Sequence, residues 1–300
     1  MLIRIENGGV EAQILLEVGG RIVSYNRVGR PNVLESDSSL WYETDAQRLV
    51  PSPTMLDFRA YNGHEVWVGP QSQWWKQQSL NQEKIESDLF WPPDPYISFG
   101  RYEVLTQSPQ SITILSEPSP ISGLQLKKSI SLNDRGELFF LVEAENIRQT
   151  PVAWDLWLIT RVNGHNENFV LVSSPDDVSL GEPSHPWQGR PTYKVEKGYF
   201  SFTPLQKDPN FEECTGKAYI KATKPVIYAH CGDEWLTLEF EHHDPSTLHP
   251  EQAEIELYNF VHAEKAKSLL ELEYHAPYKI LQPREKMSTW SRWRLGDVQL

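Results

Sequence analysis

Residues 124–146 read LQLKKSISLNDRGELFFLVEAEN, and this stretch decides the fold class. Apolar and polar side chains alternate over residues 124–132, which is the period of a half-buried β-strand. The NDRG sequence at 133–136 is a turn signal, and residues 137–146 form a second strand-like run. The stretch therefore predicts two strands joined by a tight turn, each with one face in a core.

The same pattern recurs along most of the chain. Residues 10–18 and 21–25 flank a Gly19-Gly20 pair, which is typical of a hairpin. Helical signals are sparse. A turn is predicted at residues 264–267, and loops are predicted at residues 91–95 and at about 173–191. Further strands are predicted at 111–115, 226–230, 235–241, 254–260, 269–275 and 288–295. Many short strands between turns predict an all-β sandwich, and the absence of a repeat or linker predicts a single domain over residues 1–300.

The amino-acid composition limits the kinds of partner that the protein can be expected to bind. The chain has 300 residues, with 39% hydrophobic and 23% charged residues and a formal net charge of −13. This acidity argues against nucleic acid or an anionic membrane as a partner. No apolar run reaches the length of a membrane span, and the first residues do not read as a signal peptide. Cys214 and Cys231 are interpreted as reduced, buried thiols, and we expect a cytoplasmic protein.

Aromatic residues are abundant, with 11 Trp, 12 Tyr and 11 Phe. Most are expected to fill the core, but such rings also form platforms on which the apolar face of a sugar stacks. The stretch NGHEVWVGPQSQWW at 62–75 mixes rings with amides and an imidazole, which is the mixture that sugar sites use. It predicts either a sugar site or an aromatic plug at one end of the sandwich.

Two predicted strands carry acidic side chains on one face. Asp155, Trp157 and Ile159 share a face and could line a cleft, although a structural contact between Asp155 and Arg161 is the alternative. Glu271 and Glu273 also share a face. That face points either to a ligand or to solvent, and Leu270, Leu272 and Tyr274 supply the core in both cases.

The order of these segments resembles that of the galactose mutarotase-like proteins, and more closely an aldose 1-epimerase-like, DUF4380-like branch of that superfamily. The resemblance covers most of the chain and rests on short motifs in a shared order. These are GGRIVS at 19–24, NVL at 32–34, NGHEVW at 62–67, GPQ at 69–71, WPPDP at 91–95, GLQLKK at 123–128, WLIT at 157–160 and ELEYHAP at 271–277.

The resemblance implies a β-supersandwich with a concave face that holds a monosaccharide. In the active enzymes a glutamate takes the proton of the anomeric hydroxyl and a histidine protonates the ring oxygen, without cofactor or metal. Glu273 matches the glutamate best, with Glu271 as the register alternative, and His64 matches one histidine. The predicted strand after Pro151 lacks the second histidine. A protonated Asp155 is the candidate to protonate the ring oxygen in its place.

The predicted substrate-binding residues are the aromatic, amide and charged side chains of the same motifs. They are Trp67, Gln71, Trp75, Asp94, Arg101, Trp157, Arg161 and Glu271. Arg101 or Arg161 would favour an acidic or phosphorylated sugar unless its role is structural. Two functions follow as hypotheses: an enzyme that interconverts sugar anomers, or a carbohydrate-binding protein without catalysis. A lyase or hydrolase is a weaker third.

Overall fold

A computed structural model describes residues 1–88, 90–203 and 210–298. Strands dominate these residues. In chain order they are β1 (Leu2–Asn7), β2 (Val10–Leu15), β3 (Arg21–Arg27), β4 (His64–Gly69), β5 (Tyr102–Ser108), β6 (Ser111–Ser116), β7 (Leu124–Leu132), β8 (Leu138–Asn146), β9 (Val152–Asn163), β10 (Asn168–Leu171), β11 (Val178–Leu180), β12 (Tyr193–Glu196), β13 (Tyr199–Phe202), β14 (Glu213–Ile220), β15 (Val226–Cys231), β16 (Glu234–Phe240), β17 (Ile255–His262), β18 (Leu269–His275), β19 (Lys279–Leu281) and β20 (Lys286–Gly296).

Helices are short and lie between strands. The described residues form two α-helices, α1 (Gln82–Glu86) and α2 (Pro95–Ser98). The same part of the chain has 3-10 turns at Gln71–Gln73, Pro175–Asp177, Pro245–Thr247 and Lys265–Lys267. No helix in the described ranges is long and apolar enough to cross a membrane.

The strands form two large sheets. The front sheet has the order β1-β2-β3-β4-β9-β18-β17-β14-β11, with β19 pairing to the first part of β9. The back sheet has the order β12-β13-β10-β15-β16-β20-β8-β7-β6-β5. Neighbouring strands run antiparallel in both sheets. The all-β sandwich predicted from the sequence is thus confirmed.

Strand alternation separates a core face from an outer face in the front sheet. One row across this sheet runs through Ala218, Leu257, Leu272, Thr160 and His64, all of which are buried. The His64 ring contacts rings of β8 and β20, so this row faces the back sheet. The next residue of each strand points to the opposite face, where a cleft lies.

Several local predictions can be compared with the structure. The hairpin at the start is confirmed as β2 and β3, and Gly19 and Gly20 have φ of 70° and 51°, values that favour glycine. The loop predicted at about 173–191 is wrong in part, since it contains β11, which pairs with the edge of β14. Both cysteines are buried and free, as predicted.

Candidate functional site

A cleft of about 710 Å³ opens on the outer face of the front sheet. This volume lies in the range of roughly 300–1,000 Å³ that small-molecule sites occupy. Aromatic and charged side chains make up most of its wall. They are Phe58, Trp67, Trp91, Trp157, Arg161, Lys217, Tyr219, Glu251, Glu256, Tyr258 and Glu271, joined by the polar Asn62, Gln71, Ser184 and Gln252.

Strand register brings the floor of the cleft together. Lys217 pairs with Tyr258 across β14 and β17, Tyr258 pairs with Glu271 on β18, and Glu271 pairs with Arg161 on β9. A second row runs through Tyr219, Glu256, Glu273 and Ile159 on the same four strands. Residues two apart on a strand share a face, so both rows point outward.

An aromatic cluster forms one wall. The Trp67 ring lies edge-on to Trp157 at 5.2 Å and to Trp74 at 5.4 Å between centroids. Trp91 lies 4.6 Å from Phe58 and 5.9 Å from Trp67, and it is 43% exposed at the mouth of the cleft. Edge-on rings fix one another in place, so the wall is rigid and offers flat apolar surface to a ligand.

Lys217 joins the two carboxylates of the floor. Its Nζ lies 2.5 and 2.6 Å from the two oxygens of Glu273 and 2.9 Å from Oε2 of Glu256. The indole Nε1 of Trp157 donates to Oε2 of Glu273 at 2.6 Å. Glu273 is therefore fully buried beneath Lys217 and Trp157, the two side chains that separate it from the cleft.

These contacts shift three pKa values. Burial raises the pKa of Glu273 to about 7, with Lys217 opposing the rise and Glu271 and Glu256 adding to it. Burial also favours neutral Glu256, but Lys217 and His275 outweigh it and lower the pKa of Glu256 to about 2. Burial lowers the pKa of Lys217, whereas Glu256 and Glu273 raise it above its ordinary value. Near neutral pH, Lys217 and Glu256 are charged while Glu273 titrates.

His275 extends this cluster below the floor. Its Nε2 lies 3.4 Å from Oε1 of Glu256, and its Nδ1 lies 3.5 Å from Oδ1 of Asp155. Burial lowers the pKa of His275, but Glu256 and Asp155 more than offset this and raise it to about 9. Its ring also packs 5.1 Å from that of Trp157. A protonated His275 thus balances the carboxylates that flank it.

A second ion-pair chain runs from Glu271 into the sheet. Nε of Arg161 donates to Oε1 of Glu271 at 2.7 Å, and its Nη1 donates to Glu65. Arg21 Nη2 donates to the other oxygen of Glu65 at 3.1 Å. Burial raises the pKa of Glu65, but Arg21 and Arg161 outweigh it and lower the pKa. Because Glu65 and Glu271 together balance the charges of Arg21 and Arg161, the Arg161 guanidinium offers little attraction to an acidic or phosphorylated sugar.

Three side chains have the spacing of metal ligands. Glu256, Glu273 and His275 each offer one donor atom within 4.8 Å of the others. The Lys217 ammonium already contacts both carboxylates, so it supplies the positive charge that a metal ion would bring. A protonated His275 has no lone pair for a metal. The chemistry of this set therefore favours an internal lysine over a bound ion.

Most of the predicted site residues lie together. Trp67, Gln71, Trp157, Arg161 and Glu271 line the cleft. The two acids directly below it are Glu273 and Asp155, both fully buried. The alternative contact between Asp155 and Arg161 is not formed, because Asp155 approaches His275 and Arg161 binds Glu65 and Glu271.

The remaining predicted residues lie elsewhere. His64 faces the core, where Nδ1 bonds to Oγ1 of Thr160 at 2.8 Å, because it alternates with the outward-facing Glu65. Trp75 is fully buried, and its Nε1 donates to the Pro92 carbonyl.

Two of the predicted binding residues are structural or peripheral. Asp94 is the N-cap of α2 and accepts from the Tyr96 N–H at 3.0 Å, while its other oxygen binds Ser119 and the Ser122 N–H. Arg101 is exposed near Glu17 and borders a different depression, beside β5. Neither reaches the cleft.

Sequence reasoning missed Lys217, Glu256 and His275. Glu256 sits in a predicted strand, two residues from Tyr258, but an alternating glutamate is most often solvent-facing. Lys217 lies in β14, whose sequence ECTGKAYI has a central glycine and no strict alternation, so no strand was predicted there. His275 stood inside the ELEYHAP motif, yet its partners Asp155 and Glu256 come from other strands.

Comparison with known proteins agrees with this architecture. Residues 2–296 match the family model DUF4380, described as a domain of unknown function. No curated protein sequence matches the chain. Solved structures do share its fold at low identity. A galactose mutarotase-like protein from Lactobacillus casei has a TM-score of 0.60 at 14% identity, covering 98% of this chain and 100% of that one.

Two further structures give the same result. A candidate aldose 1-epimerase from Escherichia coli K12 has a TM-score of 0.61 at 10% identity and covers 99% of both chains. A galactose mutarotase related enzyme from Lactobacillus acidophilus has a TM-score of 0.57 at 10% identity and covers 100% of both. The fold is therefore the galactose mutarotase-like β-sandwich.

Proposed function

The chain belongs to the DUF4380 family, and from its cleft we propose that it binds a small carbohydrate. The observation that carries this proposal is the pairing of an aromatic wall with a polar floor in one cleft. Trp67, Trp91 and Trp157 offer ring faces and edges for the C–H groups of a sugar, while Glu256 and Glu271 offer hydroxyl acceptors. Such a site suits an uncharged polyol better than a phosphate ester.

Trp91→Ala tests where a sugar binds. Trp91 is 43% exposed, so the substitution opens little core, yet it removes part of the wall. Stacking energies of about 0.5–1.5 kcal/mol predict a loss of roughly twofold to tenfold in affinity. Calorimetric titration with a panel of neutral aldoses measures this change.

The matched control for Trp91→Ala is Phe139→Ala. Phe139 is 41% exposed and stacks on Trp290 in the back sheet, away from the cleft. It should leave sugar affinity unchanged. If no aldose binds the wild-type chain at millimolar concentration, the proposal is wrong, and equal affinity in Trp91→Ala and wild type would place the site elsewhere.

A second candidate function is interconversion of sugar anomers, and the Glu273–Lys217 pair favours it. A pKa of about 7 suits a general base at neutral pH, and Lys217 lines the cleft in contact with that base. In this scheme Glu273 accepts the proton of the anomeric hydroxyl after Lys217 moves aside. The bond from the anomeric carbon to the ring oxygen breaks, and the Lys217 ammonium gives that oxygen a proton.

The ring-opened aldehyde then rotates and closes as the other anomer, with the two protons returned. Lys217 takes the place of the missing histidine in this scheme, while Asp155 holds His275 below the floor rather than acting as the acid. The raised pKa of Lys217 makes it a weak proton donor, so we expect a modest acceleration.

NMR saturation exchange between the anomers of glucose and of galactose measures the reaction. Only deprotonated Glu273 can accept a proton, so the rate should increase as the pH rises through about 7. Glu273→Gln and Lys217→Met should abolish the acceleration. Lys127→Met is the control for the second variant, because Lys127 pairs with Glu143 on the back sheet.

Binding without acceleration in the wild-type chain would leave a carbohydrate-binding protein and exclude the enzyme. A rate that persists in Glu273→Gln would show that Glu273 is not the base. Circular dichroism on each variant establishes that the sandwich is intact before the rates are compared.

A further inference from the structure

A second depression adjoins the cleft on the outer face of the front sheet. This depression of about 400 Å³, here called the side pocket, shares Tyr219, Glu251 and Gln252 with the cleft. Its other wall residues include Asp176, Ser179 and Lys221. The shared residues place the two spaces side by side, so a ligand seated in the cleft needs only to pass over them to reach the side pocket.

Strand β14 leads from one space to the other. Lys217 and Tyr219 lie two residues apart on one face of this strand, and Lys221 follows directly after its end. At about 3.3 Å per residue, the Cα positions of Lys217 and Lys221 are roughly 13 Å apart. Ser179 pairs with Tyr219 from the edge strand β11, so the side pocket lies over the edge of the front sheet.

The chemistry of the side pocket suits a hydroxyl-rich group. Its wall offers the carboxylates of Asp176 and Glu251 and the ammonium of Lys221. The half-buried ring of Tyr219 gives it an aromatic surface at the junction with the cleft. An apolar substituent would find few partners here, whereas a second sugar ring can use the polar groups and contact the tyrosine.

We propose that the ligand is a glycan of at least two linked sugar units, one in the cleft against the tryptophan wall and the next in the side pocket beside Tyr219. This inference rests on the proposed carbohydrate function and names its substrate class. It predicts that a disaccharide binds more tightly than the monosaccharide it contains, since the second unit adds contacts without a second loss of translational freedom.

The test compares affinities for glucose, maltose and cellobiose, and for galactose and lactose, by calorimetric titration. We expect at least one disaccharide to bind about tenfold or more tightly than its better-binding unit. Ser179→Trp fills the side pocket from an exposed position on an edge strand, so folding should be unaffected. It should remove the disaccharide advantage and leave monosaccharide affinity unchanged.

Gln107→Trp is the matched control, because Gln107 is exposed on β5, the edge strand of the back sheet. It should alter neither affinity. Equal binding of disaccharides and monosaccharides overturns the inference and leaves the proposed function in place. Equal loss of both affinities in Ser179→Trp also overturns it, because the two spaces would not act separately. Absence of binding by every sugar overturns the proposed function itself.

Discussion

Lys128 is a lysine held in the core by two contacts. Its ammonium donates to the Gly19 carbonyl at 2.7 Å and lies 4.6 Å from the centroid of the Tyr102 ring. Burial lowers its pKa to about 7, with the Arg21 guanidinium adding to this and Glu65 opposing it. The unfolded chain therefore binds one more proton than the folded chain between about pH 7 and 10.5, so this group makes stability rise with pH.

Lys128→Met keeps the length of the side chain and removes the charge. We expect the variant to be more stable than wild type at pH 7. The difference in free energy of unfolding between the variant and wild type should shrink by up to ~1.4 kcal/mol for each pH unit between about 8 and 10. Urea denaturation at several pH values measures it, and the other titrating groups cancel in the comparison.

If the difference in free energy of unfolding between Lys128→Met and wild type is the same at every pH, Lys128 has the same pKa in the folded and unfolded chains and the prediction is wrong. Lys127→Met serves as the control, since Lys127 is partly exposed and paired with Glu143. The free energy of unfolding of Lys127→Met should differ from that of wild type by nearly the same amount over this pH range.

At the scale of the element, alternation predicted the strands that have one face in the core. In β7 and β8 every second residue is buried, as the period of two requires. In β18 the prediction extended to faces: Leu270, Leu272 and Tyr274 are in the core, and Glu271 lies in the cleft. Strong periodicity is a local signal, so sequence alone was enough for these elements.

Elements without that signal were predicted only in part. The strand β9 was predicted, but nearly every one of its residues is buried, because the core covers one face and the cleft cluster covers the other, so burial alone does not tell the face of Trp157 from that of Leu158. The three-residue strand β11 exists only through its pairing with β14. Asp94 resembled a site residue, but a buried carboxylate also satisfies helix N–H groups, which is its role here.

The site depends on contacts between strands that are distant in sequence. Glu273 and Lys217 are 56 residues apart, and Trp157 is 116 residues from Glu273. Aromatic content and the paired glutamates predicted a cleft, and Trp157 and Glu271, which they indicated, both line the one described above. Which cation faces Glu273 depends on the order β9-β18-β17-β14, and a single sequence carries no direct signal of strand order.

At the scale of the whole molecule, the two faces of the front sheet have different roles: the inner face stabilises the fold, and the outer face carries the polar side chains of the cleft. Its inner face supplies Leu257 and Leu272 to the core, while its outer face carries the charged floor of the cleft. Each strand does both because its side chains alternate. Polar substitutions can therefore change the floor without altering the packing between the sheets, which explains how one sandwich can host different ligand chemistries.

The same packing leads us to infer one domain that unfolds as a unit. A continuous buried apolar cluster includes Ile5 of β1, Leu158 of β9, Leu238 of β16 and Trp293 of β20, and so takes in both sheets. Neither sheet can separate without exposing this cluster to water, which is unfavourable by about 25 cal/mol for each Å² of apolar surface. We therefore expect a single thermal transition in differential scanning calorimetry.

Near-ultraviolet and far-ultraviolet circular dichroism should report the same midpoint, because side-chain packing and strand pairing are lost together. A smaller apolar cluster packs the loop residues Met55, Tyr61 and Phe99 against Leu15 of β2 and Val23 of β3, so loosening of these loops would be local. A sugar that binds the cleft should raise the midpoint of the whole transition. Two resolved calorimetric peaks, or a ligand that shifts only one of them, would contradict a single cooperative domain.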